Sequence, residues 1–318
     1  MDFNLDEPTR ALLNRERSVV ADLRSLLERV NAERVDLDDL KTALRDLEGV
    51  FMLVVSGEYN SGKSTFLNAL LGADVLPQGV TPTTDRIHIL VYGETPREIA
   101  ESDFVLRREY KSELLRDLAL VDTPGTNAII THHQELTERF IPRADLVLFV
   151  TSADRPFTES ERRFLELISS WGKKIVIVVN KLDILETQEE RKKVLDYVSE
   201  HVKESLKVSP PVFGIYGRQA LRAKKAKDAG ALAKTGLLEL ERFIQQSLAE
   251  GERLKLKMLS PLGVAKRLAN TYQDVVSERL ALLEDDRRTL EEVDRQLKQH
   301  RKDMEREFES YLTRIKMV

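Results

Sequence analysis

The stretch VSGEYNSGKSTFLNALLG, Val55–Gly72, decides the fold class of this chain. Gly57, Gly62, Lys63 and Ser64 satisfy the pattern G-x-x-x-x-G-K-[ST], between an apolar run that predicts a strand and an amphipathic segment that predicts a helix. In such a loop, backbone N–H groups surround the phosphates of a nucleotide, and the N-terminus of the following helix adds positive potential. The stretch therefore predicts a phosphate-binding loop in an α/β fold, without distinguishing ATP from GTP.

Most residues of this phosphate loop are expected to contact the nucleotide or a bound cation. Lys63 should reach the β- and γ-phosphates, and the Ser64 hydroxyl should be a ligand of Mg²⁺. Asn60 and Ser61 lie closest to the β–γ bridge by loop geometry, so we predict that they hold charge or a monovalent cation, K⁺ or Na⁺, in the transition state. The residues of this loop that are predicted to contact the nucleotide are Gly57, Glu58, Tyr59, Asn60, Ser61, Gly62, Lys63, Ser64 and Thr65.

Two further segments are expected to complete the phosphate and metal site. The sequence DTPG begins at Asp122 directly after the apolar run LALV, so its carboxylate should hold Mg²⁺ through water while Gly125 offers its N–H to the γ-phosphate. In PQGVTPTTDRIHIL, Thr84 is preferred to Thr81 and Thr83 because it immediately precedes a predicted strand. Thr84 would supply a second side-chain oxygen to Mg²⁺ and a backbone N–H to the γ-phosphate. The predicted metal site is Ser64, Thr84 and Asp122.

The sequence NKLD, Asn180–Asp183, follows the apolar run IVIVV and predicts the base. Asp183 can accept from both N1–H and the 2-amino group of guanine, whereas adenine has neither donor in that arrangement. Lys181 should cover the base plane, and Asn180 should brace the phosphate loop. Three motifs in this order predict a domain that binds GTP and GDP with Mg²⁺. A loop after the last strand should touch guanine O6 with a backbone N–H, and its candidates by position are Tyr216, Gly217 and Arg218.

The pattern along the chain predicts three parts. Short apolar runs alternate with amphipathic segments over 49–249, which is typical of a mainly parallel sheet with flanking helices. Amphipathic helices are expected on either side, at 1–48 and 250–318, and together they would form a helical neck bundle. Pro261 and Gly263 interrupt the second region, so we predict a hinge near 260–264. The expected strands are Phe51–Val55, Arg86–Tyr92, Leu118–Val121, Leu146–Val150, Ile175–Val179 and Val212–Ile215, with an edge strand near Asp103–Arg107.

The last part of the chain carries one apolar stripe at helical spacing. A stripe of this kind indicates a helix that packs against other helices. It runs to Val318 without a stop signal, so we expect the helix to continue beyond that residue. The residues of the stripe are Leu290, Val293, Leu297, Met304, Phe308, Tyr311 and Ile315.

Composition excludes several classes of function. The chain has 50 Lys and Arg against 54 Asp and Glu, so it lacks the positive field with which nucleic-acid binders gain affinity. It has no cysteine, which removes thiolate metal sites and a cysteine nucleophile and fits a reducing compartment. The acidic N-terminus lacks the apolar core of a secretory signal, and no apolar run approaches the ~20 residues that cross a bilayer. These features favour the cytoplasm and no nucleic-acid partner.

The segments GEYNSGKSTFLNALLG, LPQGVTPTTDRI, LVDTPGT, VVNKLD and RQAL resemble the bacterial dynamin-like proteins, relatives of dynamins and mitofusins. LSPLGVAKRLA resembles the segment that leads from their G domain into the neck. The resemblance implies a G domain that dimerises across its nucleotide face and a neck that moves on hydrolysis to remodel membranes. It also implies a lipid-binding region beyond Val318 and a peripheral location at the inner face of the membrane. Tyr216 and Gly217 depart from the Ser-Ala-like pair of these relatives.

Two alternatives remain at this stage. Thr126 follows DTPG where many small GTPases have a glutamine that orients the attacking water, so another group must do this work, or hydrolysis is vestigial. In the latter case the chain would be a GTP-regulated scaffold. An Era-like or tRNA-modifying GTPase also carries DTPG and NKxD, but the acidic balance and the lack of a G-x-x-G RNA loop after the G domain disfavour it.

Overall fold

The structure is a computed structural model that describes residues 7–47, 49–77, 86–123 and 140–316. The strands are β1 Phe51–Ser56, β2 Ile87–Tyr92, β3 Arg97–Ser102, β4 Val105–Tyr110, β5 Leu118–Asp122, β6 Leu146–Ser152, β7 Ile175–Asn180 and β8 Val212–Gly214. The helices are α1 Glu7–Arg29, α2 Arg34–Asp46, α3 Lys63–Leu71, α4 Leu114–Asp117, α5 Glu159–Ser170, α6 Gln188–Leu206, α7 Gly217–Ala226, α8 Ala229–Ala233, α9 Leu237–Leu248 and α10 Glu250–Lys316, with a 3₁₀ turn at Leu182–Ile184.

The described strands form one sheet in the order β3-β4-β2-β5-β1-β6-β7-β8. From β5 to β8 every neighbour is parallel, whereas β2 is antiparallel to β5. Strands β5, β6 and β7 are buried at every position, as expected for parallel strands with helices on both faces. The mainly parallel α/β sheet predicted from the sequence is therefore confirmed.

The six main predicted strands are present, and the strand predicted near Asp103–Arg107 is present in part as β4, which lies one position in from the edge of the sheet. Asp103 and Phe104 form a turn, and two strands, β3 and β4, lie on either side of it. Strand β3 has the sequence REIAES and is exposed along nearly its whole length. It escaped prediction because an edge strand with both faces in water has no apolar alternation to reveal it.

The amphipathic helices expected within 1–48 are present as α1 and α2. Helices α1 and α2 contact each other. Val20 and Leu27 of α1 and Leu40 and Ala43 of α2 are buried, so each helix has one apolar face turned away from water.

Helix α10 continues without a break through Pro261 and Gly263. A Cβ on Gly263 would lie 2.4 Å from the carbonyl oxygen of Trp171, so glycine is needed here for a close approach between helix and sheet domain. Leu256 of the same helix joins the core of that domain. The helix break expected from the sequence is absent, and movement at 260–264 stays a prediction.

Contacts divide the chain into two units, Met1–Leu268 and Ala269–Val318. In the second unit the predicted helix is present, and Leu290, Leu297 and Met304 of its apolar stripe are exposed. None of the described helices is both long enough and apolar enough to cross a membrane.

Candidate nucleotide-binding site

The parallel register brings the three predicted motifs to one edge of the sheet. Strands β1, β5, β6 and β7 are neighbours that run in the same direction, so their carboxyl ends meet. The phosphate loop follows β1, Asp122 ends β5 and Asn180 ends β7. In open α/β sheets, this edge is where ligands bind.

The phosphate loop ends at Gly62, which caps helix α3 with φ 88°. A Cβ at this position would lie 2.3 Å from Asn180 Nδ2, so glycine is required by both conformation and space. The buried Lys63 Nζ donates to the carbonyl oxygens of Gly57 at 2.9 Å and Glu58 at 2.8 Å. Burial lowers the pKa of Lys63 to about 8, which still leaves the ammonium mostly charged near pH 7. In this structure, two carbonyl oxygens of the loop thus hold the Lys63 ammonium group.

Ser64 and Asp122 lie together, as the sequence predicts. Ser64 Oγ donates to Asp122 Oδ2 at 3.0 Å, and within the described residues the buried Asp122 Oδ1 accepts no hydrogen bond. Burial raises the pKa of Asp122 to about 6, and the Lys63 charge only partly opposes this. A buried carboxylate beside a hydroxyl, with an oxygen still to be satisfied, is a donor set that suits Mg²⁺. Ser64 and Asp122 therefore fit the predicted metal site.

Asn180 connects three loops through one side chain. Its Nδ2 donates to the carbonyl oxygen of Ser61 at 2.9 Å, and its Oδ1 accepts from the backbone N–H of Lys181 at 2.8 Å and of Gly217 at 3.0 Å. The side chain thus holds the phosphate loop, the NKLD turn and the loop after β8 in one arrangement. This is the bracing contact expected from the sequence, extended to a third loop.

The residues predicted to recognise the base lie on the two segments that the Asn180 side chain contacts. Asp183 is exposed in the 3₁₀ turn, and Lys181 has φ 61° with its Nζ 3.8 Å from Asp154 Oδ1. The N–H groups of Tyr216 and Gly217 already donate to Thr235 and Asn180, so neither is free for guanine O6 in this structure. The exposed Arg218 lines an adjacent pocket of about 690 Å³.

Neighbouring residues in the middle of the phosphate loop differ in their exposure to solvent. Tyr59 and Asn60 are exposed, and Asn60 adopts φ 61°. The Ser61 hydroxyl is buried and donates to the carbonyl oxygen of Glu58 at 2.9 Å. Of the two residues predicted to act in the transition state, Asn60 is therefore exposed, whereas the Ser61 hydroxyl is hydrogen-bonded within the loop. Thr65 is half-buried in the first turn of α3.

Three predicted positions, Thr84, Gly125 and Thr126, lie outside the described residues. Sequence reasoning also missed contacts that the fold brings to this site. The Glu58 carboxylate accepts from Thr158 Oγ1 at 2.6 Å and from the Ser160 hydroxyl, both at the start of α5. The T-x-x-E pattern at Thr158 signals a helix start, but no local pattern shows that this helix faces the phosphate loop.

Fold and site together define a P-loop protein of the GTPase type. The model of the Dynamin family matches residues 53–112 and 100–182. The chain is 32% identical, over 97% of its length and 36% of the relative's, to the "Probable transmembrane GTPase FZO-like, chloroplastic" of Arabidopsis thaliana. It is also 26% identical to the "Bacterial dynamin-like protein" of Nostoc punctiforme, over 79% of this chain and 44% of the relative. The chain belongs to the dynamin-like large GTPases.

A solved structure shows the same fold. An oligomerised bacterial dynamin pair, described as a mechanism for the long-range sensing and tethering of membranes, superposes with a TM-score of 0.58 at 18% identity. The superposition covers 91% of this chain and 50% of the other. The chain thus spans between about a third and a half of the length of these three proteins.

Proposed function

We propose that this chain binds GTP at the edge formed by β1, β5 and β7 and hydrolyses it to GDP and phosphate. The observation that carries the proposal is the Asn180 brace, because it joins the phosphate loop to the guanine-selecting turn in a single arrangement. Lys63 would then take the β- and γ-phosphates, and Asp183 would select guanine.

Ser64 and Asp122 would hold Mg²⁺, with Thr84 as the expected further ligand. When bound, the ion neutralises charge that develops on the phosphate oxygens. Lys63 would supply a fixed positive charge, and the exposed Asn60 would contact a monovalent cation or a second copy. The tethered loop keeps these groups in place before the substrate arrives.

We further propose that two copies dimerise through this face and that hydrolysis moves the neck helices to remodel a membrane. Family membership and the membrane-tethering neighbour support this proposal. Helices α1, α2 and α10 provide apolar helical surfaces that such a neck needs. The lipid membrane would be the partner of the whole protein, at the inner face of a membrane and in contact with the cytoplasm.

The test is the GTPase rate per chain as a function of protein concentration. A reaction completed by a second copy gives a rate per chain that rises with concentration, and GDP with aluminium fluoride should double the mass seen by size exclusion. Repeating the measurement in K⁺, Na⁺ and choline salts examines the monovalent cation. A constant rate per chain with a monomeric transition-state complex would exclude dimerisation, and negligible turnover at every concentration would favour the scaffold.

A further inference from the structure

The phosphate loop is tied to a second segment through Glu58. Its carboxylate Oε1 accepts from Thr158 Oγ1 at 2.6 Å and from the Ser160 hydroxyl, although Glu58 and Thr158 are 100 residues apart in sequence. Glu58 is half-buried, so these bonds form where water competes less than at an open surface. Hydrogen bonds to an ionised carboxylate are about twice as strong as those between neutral groups.

The other end of this tether is held by hydrogen bonds of its own. Thr158 caps α5, and its hydroxyl accepts from the backbone N–H of Glu161 at 3.3 Å. The Glu161 carboxylate is 1% exposed and accepts from the Thr158 N–H at 3.1 Å and from Thr151 Oγ1 at 2.9 Å. Phe157, just before the cap, adopts φ 58°, a conformation that a bulky residue keeps only when its surroundings impose it.

The tether acts on the part of the phosphate loop that carries Asn60. The Glu58 carbonyl oxygen accepts from Ser61 N at 3.3 Å, Ser61 Oγ at 2.9 Å and Lys63 Nζ at 2.8 Å, so Glu58 anchors the turn on both sides of Asn60. Asn180 holds the same turn from the β7 side through the Ser61 carbonyl. The exposed Asn60 therefore lies in a turn that is held by hydrogen bonds from Asn180 and within Glu58–Lys63.

We propose that Glu58 is a positioning residue, whose carboxylate, held by Thr158 and Ser160, places Asn60 and the β–γ side of the phosphate loop for hydrolysis. This proposal rests on the proposed function. Lys63 and the loop N–H groups still bind the phosphates when the tether is cut, so GTP affinity changes little. The reacting geometry loosens, however, and a displacement of about 1 Å can reduce the rate by ~100-fold.

The experiment compares Glu58→Ala, Glu58→Gln, Ser160→Ala and the double variant Glu58→Ala/Ser160→Ala in the full chain. Single-turnover hydrolysis gives the rate constant, and a fluorescent non-hydrolysable GTP analogue gives Kd. The matched control is Glu159→Gln, whose exposed carboxylate pairs with Arg162 and Arg163 on the same helix.

We expect Glu58→Ala to lower the rate constant by ~10-fold and to change Kd by less than ~3-fold. Glu58→Gln keeps an acceptor oxygen and should retain most of the rate. Ser160→Ala should reduce the rate constant by a smaller factor. The double variant should be no slower than Glu58→Ala, because Glu58→Ala already removes the contact with Ser160.

Three results would overturn the inference: a parental rate in Glu58→Ala, losses that multiply in the double variant, or a Kd that weakens as much as the rate falls. Ser160 is exposed, so its variant tests the tether even if Glu58→Ala folds poorly. A parent chain that does not hydrolyse GTP refutes the proposed function itself. A parent that turns over at the same rate as Glu58→Ala refutes only the role of Glu58.

Discussion

Glu16 lies on the buried face of α1 with 5% of its surface exposed, and neither carboxylate oxygen accepts a hydrogen bond within the described residues. Burial raises its pKa from 4.5 to about 7, only partly opposed by Arg17. The folded chain therefore holds this proton more tightly than the unfolded chain. The contribution of Glu16 to the free energy of unfolding should therefore be most favourable below about pH 4.5 and should fall as the pH rises to 7.

Glu16→Gln removes the carboxyl group and with it the free-energy cost of ionising a buried side chain. We expect the variant to be more stable than the parent by up to about 3 kcal/mol at pH 8, with a difference that shrinks towards zero near pH 4.5. Urea unfolding at pH 5, 6.5 and 8 measures it. Glu28→Gln, which removes an exposed pair with Arg24 on the same helix, should shift stability little at any pH. An equal effect of Glu16→Gln at pH 5 and pH 8 would show that ionisation is not the cause.

The guanine-selecting role proposed for Asp183 makes a prediction about the base. Asparagine at this position offers one donor and one acceptor, which suits xanthine, whose C2 oxygen replaces the 2-amino group of guanine. Asp183→Asn should weaken GTP by roughly 100-fold, because charge-assisted hydrogen bonds are worth about 1.5–3 kcal/mol each, and it should gain affinity for xanthosine triphosphate. Competition against a fluorescent nucleotide measures both. The exposed Asp196→Asn on α6 is the control, and retained GTP preference in Asp183→Asn would contradict the assignment.

At the scale of elements, the contact between α10 and the sheet depends on a buried lysine. Lys257 is 2% exposed, and its Nζ lies 2.9 Å from Asp145 Oδ2 and donates to the carbonyl oxygens of Asp46 and Val50. Asp145 precedes β6 and also accepts from the backbone N–H of Met52 at 2.8 Å. One helix side chain thus meets the amino-terminal ends of β1 and β6, opposite the nucleotide edge.

Lys257→Met should cost about 3–5 kcal/mol of unfolding free energy, because it leaves the Asp145 charge buried without its cation. Lys257→Met/Asp145→Asn removes that charge and should recover part of the loss. The exposed Lys266→Met on the same helix should be nearly neutral. Denaturant unfolding of the four proteins checks this. If Lys257→Met and Lys266→Met are equally mild, the buried pair does not secure the helix.

At the scale of the whole molecule, the division after Leu268 predicts how the chain tolerates shortening. A chain that ends at Leu268 keeps Lys257, Gly263 and Ser260, whose hydroxyl accepts from Lys173 Nζ at 2.7 Å. It should therefore fold and bind GDP within about threefold of the parent affinity. A chain that ends at Ala249 loses those contacts and should be markedly less stable. Thermal unfolding and fluorescent GDP titration test both. Loss of GDP binding in the longer chain would show that Ala269–Val318 supports the nucleotide site.

Local sequence predicts much of the nucleotide site because the motifs carry their geometry with them. Gly57–Ser64 needs only its own glycines and the following helix to form a phosphate loop. Asn180–Asp183 follows an apolar run that can only be a buried strand, so its place at the sheet edge follows from the parallel register. Strand β3 could not be predicted in this way, because both of its faces are exposed and its sequence has no apolar alternation.

The sequence by itself determined the fold class and the order of the motifs, and it predicts a preference for guanine, because each depends on residues that are close together in the chain. Only the tertiary structure decided that Glu58 of the phosphate loop meets Thr158, 100 residues away, and that Lys257 meets Asp46, 211 residues away. Such contacts arise from the order of strands in the sheet and the packing of helices on it. The phosphate loop within Val55–Gly72 is encoded locally, but the contacts that hold the turn around Asn60 come from Asn180 and Thr158, which are distant in sequence.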